Sequence, residues 1–237
     1  MKKLNVKRFL QEPSHCAIAS IASLTNFYNE NIDYEITKRI AKKKVSENTS
    51  DGFDSGEIWL LLNYMGFNKV TLISNNSNIF DCTWDKLGRN KLLKELKHSK
   101  NKINKDYRDE SNSIYKWLKK KGFDNNIVID YRFGKYIRKF LNTKKPLLFS
   151  FNWTMFFRQS KQCGDSPDPI KGETEEHMVT AYGYNKRGVY ICDSHHQYYK
   201  YKRKKYRRGF YKISWENLMT CMGQGDVFLP EEYYIIE

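Results

Sequence analysis

The chain has no long apolar run. Nowhere in its 237 residues does a stretch approach the roughly 20 consecutive apolar residues that a membrane-spanning helix needs. The N-terminal Lys2, Lys3, Lys7 and Arg8 carry the charge of a signal peptide, but no apolar segment follows them. The expectation is therefore a soluble, cytoplasmic chain. Cysteine is sparse: Cys16, Cys82, Cys163, Cys192 and Cys221 are odd in number and far apart. No CxxC pair or metal-type cluster occurs, which argues against a disulfide framework and for a reducing compartment. No metal and no cofactor are expected. Internal repeats are absent as well.

Positive charge is plentiful. Lys and Arg number 42 against 27 Asp and Glu, a formal net charge of +15. Such a balance favours polyanionic partners. It also fits a chain rich in Lys, Asn, Ile and Tyr by composition alone, with no partner behind the charge. Apolar residues make up 40% and aromatic residues 15%, enough for a substantial core. The length suits one domain over 1–237, with an insertion at about 75–121 where Lys and Asn dominate.

The most informative stretch is Gln11-Glu12-Pro13-Ser14-His15-Cys16, which runs into the apolar Ala17-Ile18-Ala19-Ser20-Ile21-Ala22-Ser23-Leu24. It predicts a helix over 15–28, with Ser14 as N-cap. A thiol at a helix start ionises more readily, because the helix N-terminus favours negative charge. An upstream glutamine amide can donate to a developing oxyanion. Further helices are predicted over 34–44, capped by Asp33, and over 57–65, capped by Asp54 or Ser55 and ended by Gly66. From Pro146 onward the pattern turns to strands, at 147–152, 177–184, 189–193, 206–213 and 227–236, with a short helix over 214–222. The turn at 185–188 joins two of these strands as a hairpin.

That hairpin combines the two halves of the chain. His177 opens one strand and Asp193 closes its partner, so pairing brings both to one sheet edge. The carboxylate can orient the imidazole, and the imidazole can take the Cys16 proton. Each residue also has a plainer reading. Cys16 fits a small core residue, His177 a satisfied core histidine, and Asp193 a cap for the turn before Ser194-His195-His196. His195 and His196 read as surface histidines. His15 diverges from Cys16 on the helix and is a poor base. Cys192 reads as core. Cys163, in a Gly/Pro/Asp loop, is the best candidate for a second reactive thiol.

The Gln11–Leu24 segment, the His177-Met178-Val179-Thr180-Ala181-Tyr182-Gly183-Tyr184 strand and the Val189-Tyr190-Ile191-Cys192-Asp193 strand together resemble the papain-like cysteine peptidase superfamily. Within it, the chain is most similar to the double-glycine-leader (bacteriocin-processing) peptidases, with a more distant similarity to phytochelatin synthase. The Lys145-Pro146-Leu147-Leu148-Phe149-Ser150 strand also resembles the one that precedes the histidine strand there. The resemblance implies an α+β fold, with a helical lobe carrying the nucleophile packed on an antiparallel β-sheet lobe. It implies Cys16 as nucleophile, His177 as general base, Asp193 as its orienter and Gln11 in the oxyanion hole. The expected activity is thiol-dependent cleavage of a peptide or isopeptide bond in a peptide or protein substrate. An acyltransferase would use the same acyl-enzyme, and a catalytically silent polyanion-binding module is a third class. The last draws on the run over 198–208, where Tyr and Lys/Arg interleave as nucleic-acid contacts can. The same run also suits a solvated hairpin whose cations protect an exposed edge.

Overall fold

A computed structural model describes residues 3–49, 52–99, 102–158, 160–163, 166–195, 208–222 and 225–234. Apart from Arg208, the basic run over 198–208 lies outside them, as does the side chain of Cys163. The chain opens with three helices, α1 (Cys16–Tyr28), α2 (Tyr34–Lys44) and α3 (Ser55–Tyr64), followed by β1 (Phe67–Ser74). A 3-10 turn (Cys82–Lys86), α4 (Arg89–Ser99), α5 (Lys105–Lys119), β2 (Asn126–Ile129) and α6 (Phe133–Leu141) come next. Then follow β3 (Leu147–Asn152), α7 (Trp153–Phe157) and the short pair β4 (Gln162–Cys163) and β5 (Ser166–Pro167). The chain finishes with β6 (Glu176–Asn185), β7 (Gly188–Cys192), β8 (Phe210–Ser214), α8 (Trp215–Cys221) and β9 (Asp226–Tyr233).

Seven strands form one sheet in the order β2-β1-β9-β3-β6-β7-β8, antiparallel throughout except for the β1–β2 pair. Side chains alternate between the two faces of a strand, so each strand serves two cores. Leu148, Met178 and Phe228 pack with Ile18, Ile21 and Leu24 of α1 and Trp59 and Leu61 of α3. Phe149, Val179 and Val227, each a direct neighbour of one of those strand residues, pack instead with Ile137 of α6 and Leu218 of α8. The expected α+β arrangement is present, with the thiol-bearing helix laid across a mainly antiparallel sheet. In the stretch over 75–121, Leu92, Leu96, Ile114, Trp117 and Leu118 join the core built on α1 and α3.

Most predicted elements appear within a few residues of their expected ends. Asp33 caps α2 by accepting from Ile36 N–H, and Asp54 caps α3 in a reciprocal box with Glu57. The N-cap of α1 is a correction. Ser14 has a φ of 60°, a left-handed turn, whereas an N-cap needs an extended backbone. His15 takes the position and makes no capping hydrogen bond through its side chain. The N–H groups of the first turn are thus left unclaimed by a cap.

Two hydroxyls fix α1 on the sheet. Ser20 Oγ donates to the Met178 carbonyl at 2.9 Å, and Thr180 Oγ1 donates to the Ser20 carbonyl at 2.9 Å. This reciprocal pair lies one helical turn beyond Cys16 and one residue beyond His177, so it sets the approach of thiol to imidazole. Ser20→Ala leaves half of the pair unmade at a buried position. A loss of about 1–2 kcal/mol in urea unfolding is expected, accompanied by slower alkylation of Cys16.

Candidate active site

His177 sits second in β6 and Asp193 directly follows β7. The hairpin brings them together as the sequence predicts, with His177 Nε2 2.8 Å from Asp193 Oδ1. Asp193 is fully buried, and each of its oxygens is held. Oδ1 also accepts from the His195 N–H at 2.8 Å, and the Tyr211 hydroxyl donates to Oδ2 at 2.6 Å. Burial by itself would raise its pKa, but the charge and hydrogen bond of His177, with Tyr211 and the His195 N–H, hold it below the ordinary carboxylate value. Arg8 ties the same turn together, donating to the Asp193 carbonyl through Nε and to the His195 carbonyl at 2.9 Å.

With Nε2 on Asp193, His177 is left with Nδ1 for its hydrogen bond with the Cys16 thiol. Burial disfavours the thiolate. The hydrogen bond and charge of His177, with the backbone N–H groups of Met178 and Ala17, outweigh it and hold Cys16 below the ordinary thiol value. The imidazole moves the opposite way. Burial would lower it, and Asp193 followed by Cys16 lifts it to about 10. Both shifts favour a thiolate–imidazolium pair at neutral pH. Cys192 and Cys221 differ, since burial pushes both thiols up, Cys192 to about 12. Among the described cysteines Cys16 alone combines partial exposure with a lowered pKa.

Gln11 is 8% exposed and borders the same cleft. Its backbone N–H donates to the Ser194 carbonyl at 3.2 Å, and the Ser194 hydroxyl donates to its Oε1 at 2.7 Å. With Oε1 held, Nε2 is the group that Gln11 offers to the cleft. The cleft measures about 340 Å³ and is lined by Gln11, Cys16, Trp153, Glu176, His177 and His195 among others. A larger hollow of about 650 Å³ lies between α2 and the end of α3, and Cys16, His177 and Asp193 do not line it.

Two of the histidines depart from, or fill in, the sequence reading. His195 lines the cleft rather than the outer surface, its ring 5.2 Å from Trp153 and 5.7 Å from His177. His15 is a satisfied core histidine, with Nδ1 2.7 Å from the Tyr34 hydroxyl and Nε2 3.0 Å from Thr49 Oγ1. Cys192 is buried as expected. The sequence gives no sign of Trp153, Tyr211, Arg8 or Glu176. The sequence reading places Tyr211 only within a strand and Arg8 only among the N-terminal charges, and it does not single out Trp153. Among the described residues no group of three or more His, Cys, Asp or Glu could hold a metal ion. No helix there is long and apolar enough to cross a membrane.

No curated protein matches the chain. Among solved structures it is similar to a candidate C39-like peptidase from Bacillus anthracis, at 14% identity over 98% of this chain and 100% of that one, with a TM-score of 0.41. The family model for the Peptidase_C39-like family matches residues 3–221. A match of that extent makes the chain a member of the Peptidase_C39-like family, within the papain-like cysteine peptidases.

Proposed function

We propose that the protein hydrolyses peptide or isopeptide bonds through a Cys16–His177–Asp193 triad. The observation that carries this reading is the run of contacts from Asp193 through His177 to Cys16, at the end of the sheet where β6 begins and β7 finishes. The Cys16 thiolate attacks the substrate carbonyl carbon, and the oxygen takes up the negative charge. Gln11 Nε2 and the Cys16 backbone N–H, at the uncapped start of α1, are the donors for that oxyanion. Collapse of the tetrahedral intermediate expels the amine, which takes a proton from His177 Nδ1, and leaves a thioester on Cys16. The neutral imidazole then removes a proton from water as it attacks the thioester. The acid product departs, and the thiolate–imidazolium pair is restored. Asp193 holds the ring in place throughout and stabilises its charge.

Competitive alkylation at pH 6 tests this directly. Cys16 is expected to react with iodoacetamide at least about tenfold faster than Cys82, Cys192 or Cys221, because His177 lowers its thiol pKa. Peptide cleavage is expected to vanish in Cys16→Ala. Cleavage that survives this substitution, or uniform labelling of all the thiols, would remove Cys16 from the mechanism. Adding a primary amine to the assay separates hydrolysis from acyl transfer, since aminolysis products that dominate over water would mark a transferase.

A further inference from the structure

Beside Cys16 the cleft has an acidic wall. Glu175 and Glu176 line it, and the carboxylate of Glu176 has no hydrogen bond or ion pair among the described residues. Near Glu176, where β6 and β9 begin, lie Glu110 of α5 and Asp226 at the start of β9, joined through Ser55 to Asp54 at the cap of α3. Ser55 Oγ lies 2.6 Å from Glu110 Oε1 and 2.5 Å from Asp226 Oδ2. One hydroxyl carries one proton, so it cannot donate to both oxygens. Either a carboxyl is itself protonated or one contact is unmet. Asp226 is 6% exposed, and its Oδ1 has no hydrogen-bond partner, although Ser74 is close enough to favour its charge.

These groups strain against their surroundings. Burial comes first, then Glu110 and Glu176, in pushing Asp226 up to about 7. Glu176 is open to the cleft along one side, yet enough protein surrounds its carboxyl for burial, and then Glu110, to push it to about 7. Glu110 and Asp54 are raised too, chiefly by burial. Among the described residues, no ion pair reaches any of the four, although the chain carries a net +15. A cation held at Glu176 would offset the repulsion it shares with Glu110 and Asp226. Their arrangement does not form a metal site among the described residues. An extended cation that enters along the cleft fits better, because Glu176 lines the cleft and meets it first.

We propose that this wall is a subsite for a lysine or arginine side chain of the peptide substrate, with Glu176 as the carboxylate that contacts it. The inference rests on the reading of Cys16 as nucleophile and names the substrate class for the same cleft. A guanidinium or ammonium held at Glu176 fixes the peptide alongside the thiolate. Apolar or acidic residues placed there would leave the carboxylates unpaired.

The test uses matched tripeptide chloromethyl ketones, alanine-based, with arginine or its neutral isostere citrulline at each position in turn. At one position the arginine probe is expected to label Cys16 at least about tenfold faster, which corresponds to about 1.4 kcal/mol. Glu176→Gln is expected to bring the two rates within about twofold, and Glu176→Lys to reverse their order. Glu176 opens β6 at the mouth of the cleft, and urea unfolding of both variants checks that they fold as the wild type does. Equal rates at all positions would overturn the proposal, as would a preference that Glu176→Gln leaves intact. Non-covalent binding of the corresponding peptide amides to Cys16→Ser reads the subsite without the chemistry. A tenfold tighter arginine peptide in that titration, together with no labelling of the wild type, would retain the subsite and reject the nucleophile. Labelling of Cys16 at equal rates, with equal binding, would do the reverse.

Discussion

His177→Ala is expected to slow peptide cleavage by about 10³-fold or more at pH 6. Two losses combine in that figure. The first is thiolate. The His177 hydrogen bond and charge are what hold Cys16 below the ordinary thiol value against the cost of burial. Without them burial acts against only the Met178 and Ala17 N–H groups, so the Cys16 pKa rises and the thiolate fraction at pH 6 falls. The second loss is the proton donor for the leaving amine. Alkylation needs no leaving-group proton, so the variant separates the two effects. Alkylation is expected to recover as the pH is raised to 10, while cleavage stays low. A variant that cleaves peptides at the wild-type rate at both pH values would show that His177 does not serve Cys16.

Asp226→Asn is expected to gain about 3 kcal/mol relative to the wild type between pH 4.5 and pH 8 in urea unfolding. The sign follows from the direction of the shift. The Asp226 carboxyl is raised from 3.8 to about 7 in the folded protein, mainly by burial and then by Glu110. Between those values the folded chain holds a proton that the unfolded chain has released. Wild-type stability from this group is therefore full below about 4 and falls as the pH rises toward 7. Asparagine cannot ionise and has no such loss. At pH 8 it also keeps an amide donor beside Ser55 and Glu110, where the ionised carboxyl has none. An offset between the two proteins that is the same at both pH values would mean that Asp226 ionises normally in the folded state.

The parts of the site that the sequence reveals are those fixed by local geometry. A helix that begins at Cys16 and a four-residue turn between two strands are short-range features, and together they place His177 against Asp193. Gln11 is legible for the same reason, since only a turn separates it from the helix. Tyr211, Arg8 and Ser194 hold this arrangement through partners 18, 185 and 183 residues away in sequence, and nothing in their local pattern marks them. The α1 cap is misread because Ser14 has the right chemistry in the wrong backbone conformation, which neighbouring residues alone do not disclose. Helix α7 is missed because Trp153–Phe157 is a short apolar and aromatic run with no periodicity to distinguish it from the strand before it. The acidic wall is the least legible feature of all. Asp54, Glu110, Glu176 and Asp226 come from two helices and two strands that meet only where β6 and β9 begin.

In the proposed mechanism Cys16 and His177 form a thiolate–imidazolium pair at neutral pH. Thiolate absorbance at about 240 nm, titrated as the difference between the wild type and Cys16→Ser, measures it most directly. A thiolate that appears well below pH 9 in the wild type, and only at higher pH in His177→Ala, is the predicted result. A Cys16 that titrates at pH 9 or above, unchanged by the loss of His177, would contradict the account.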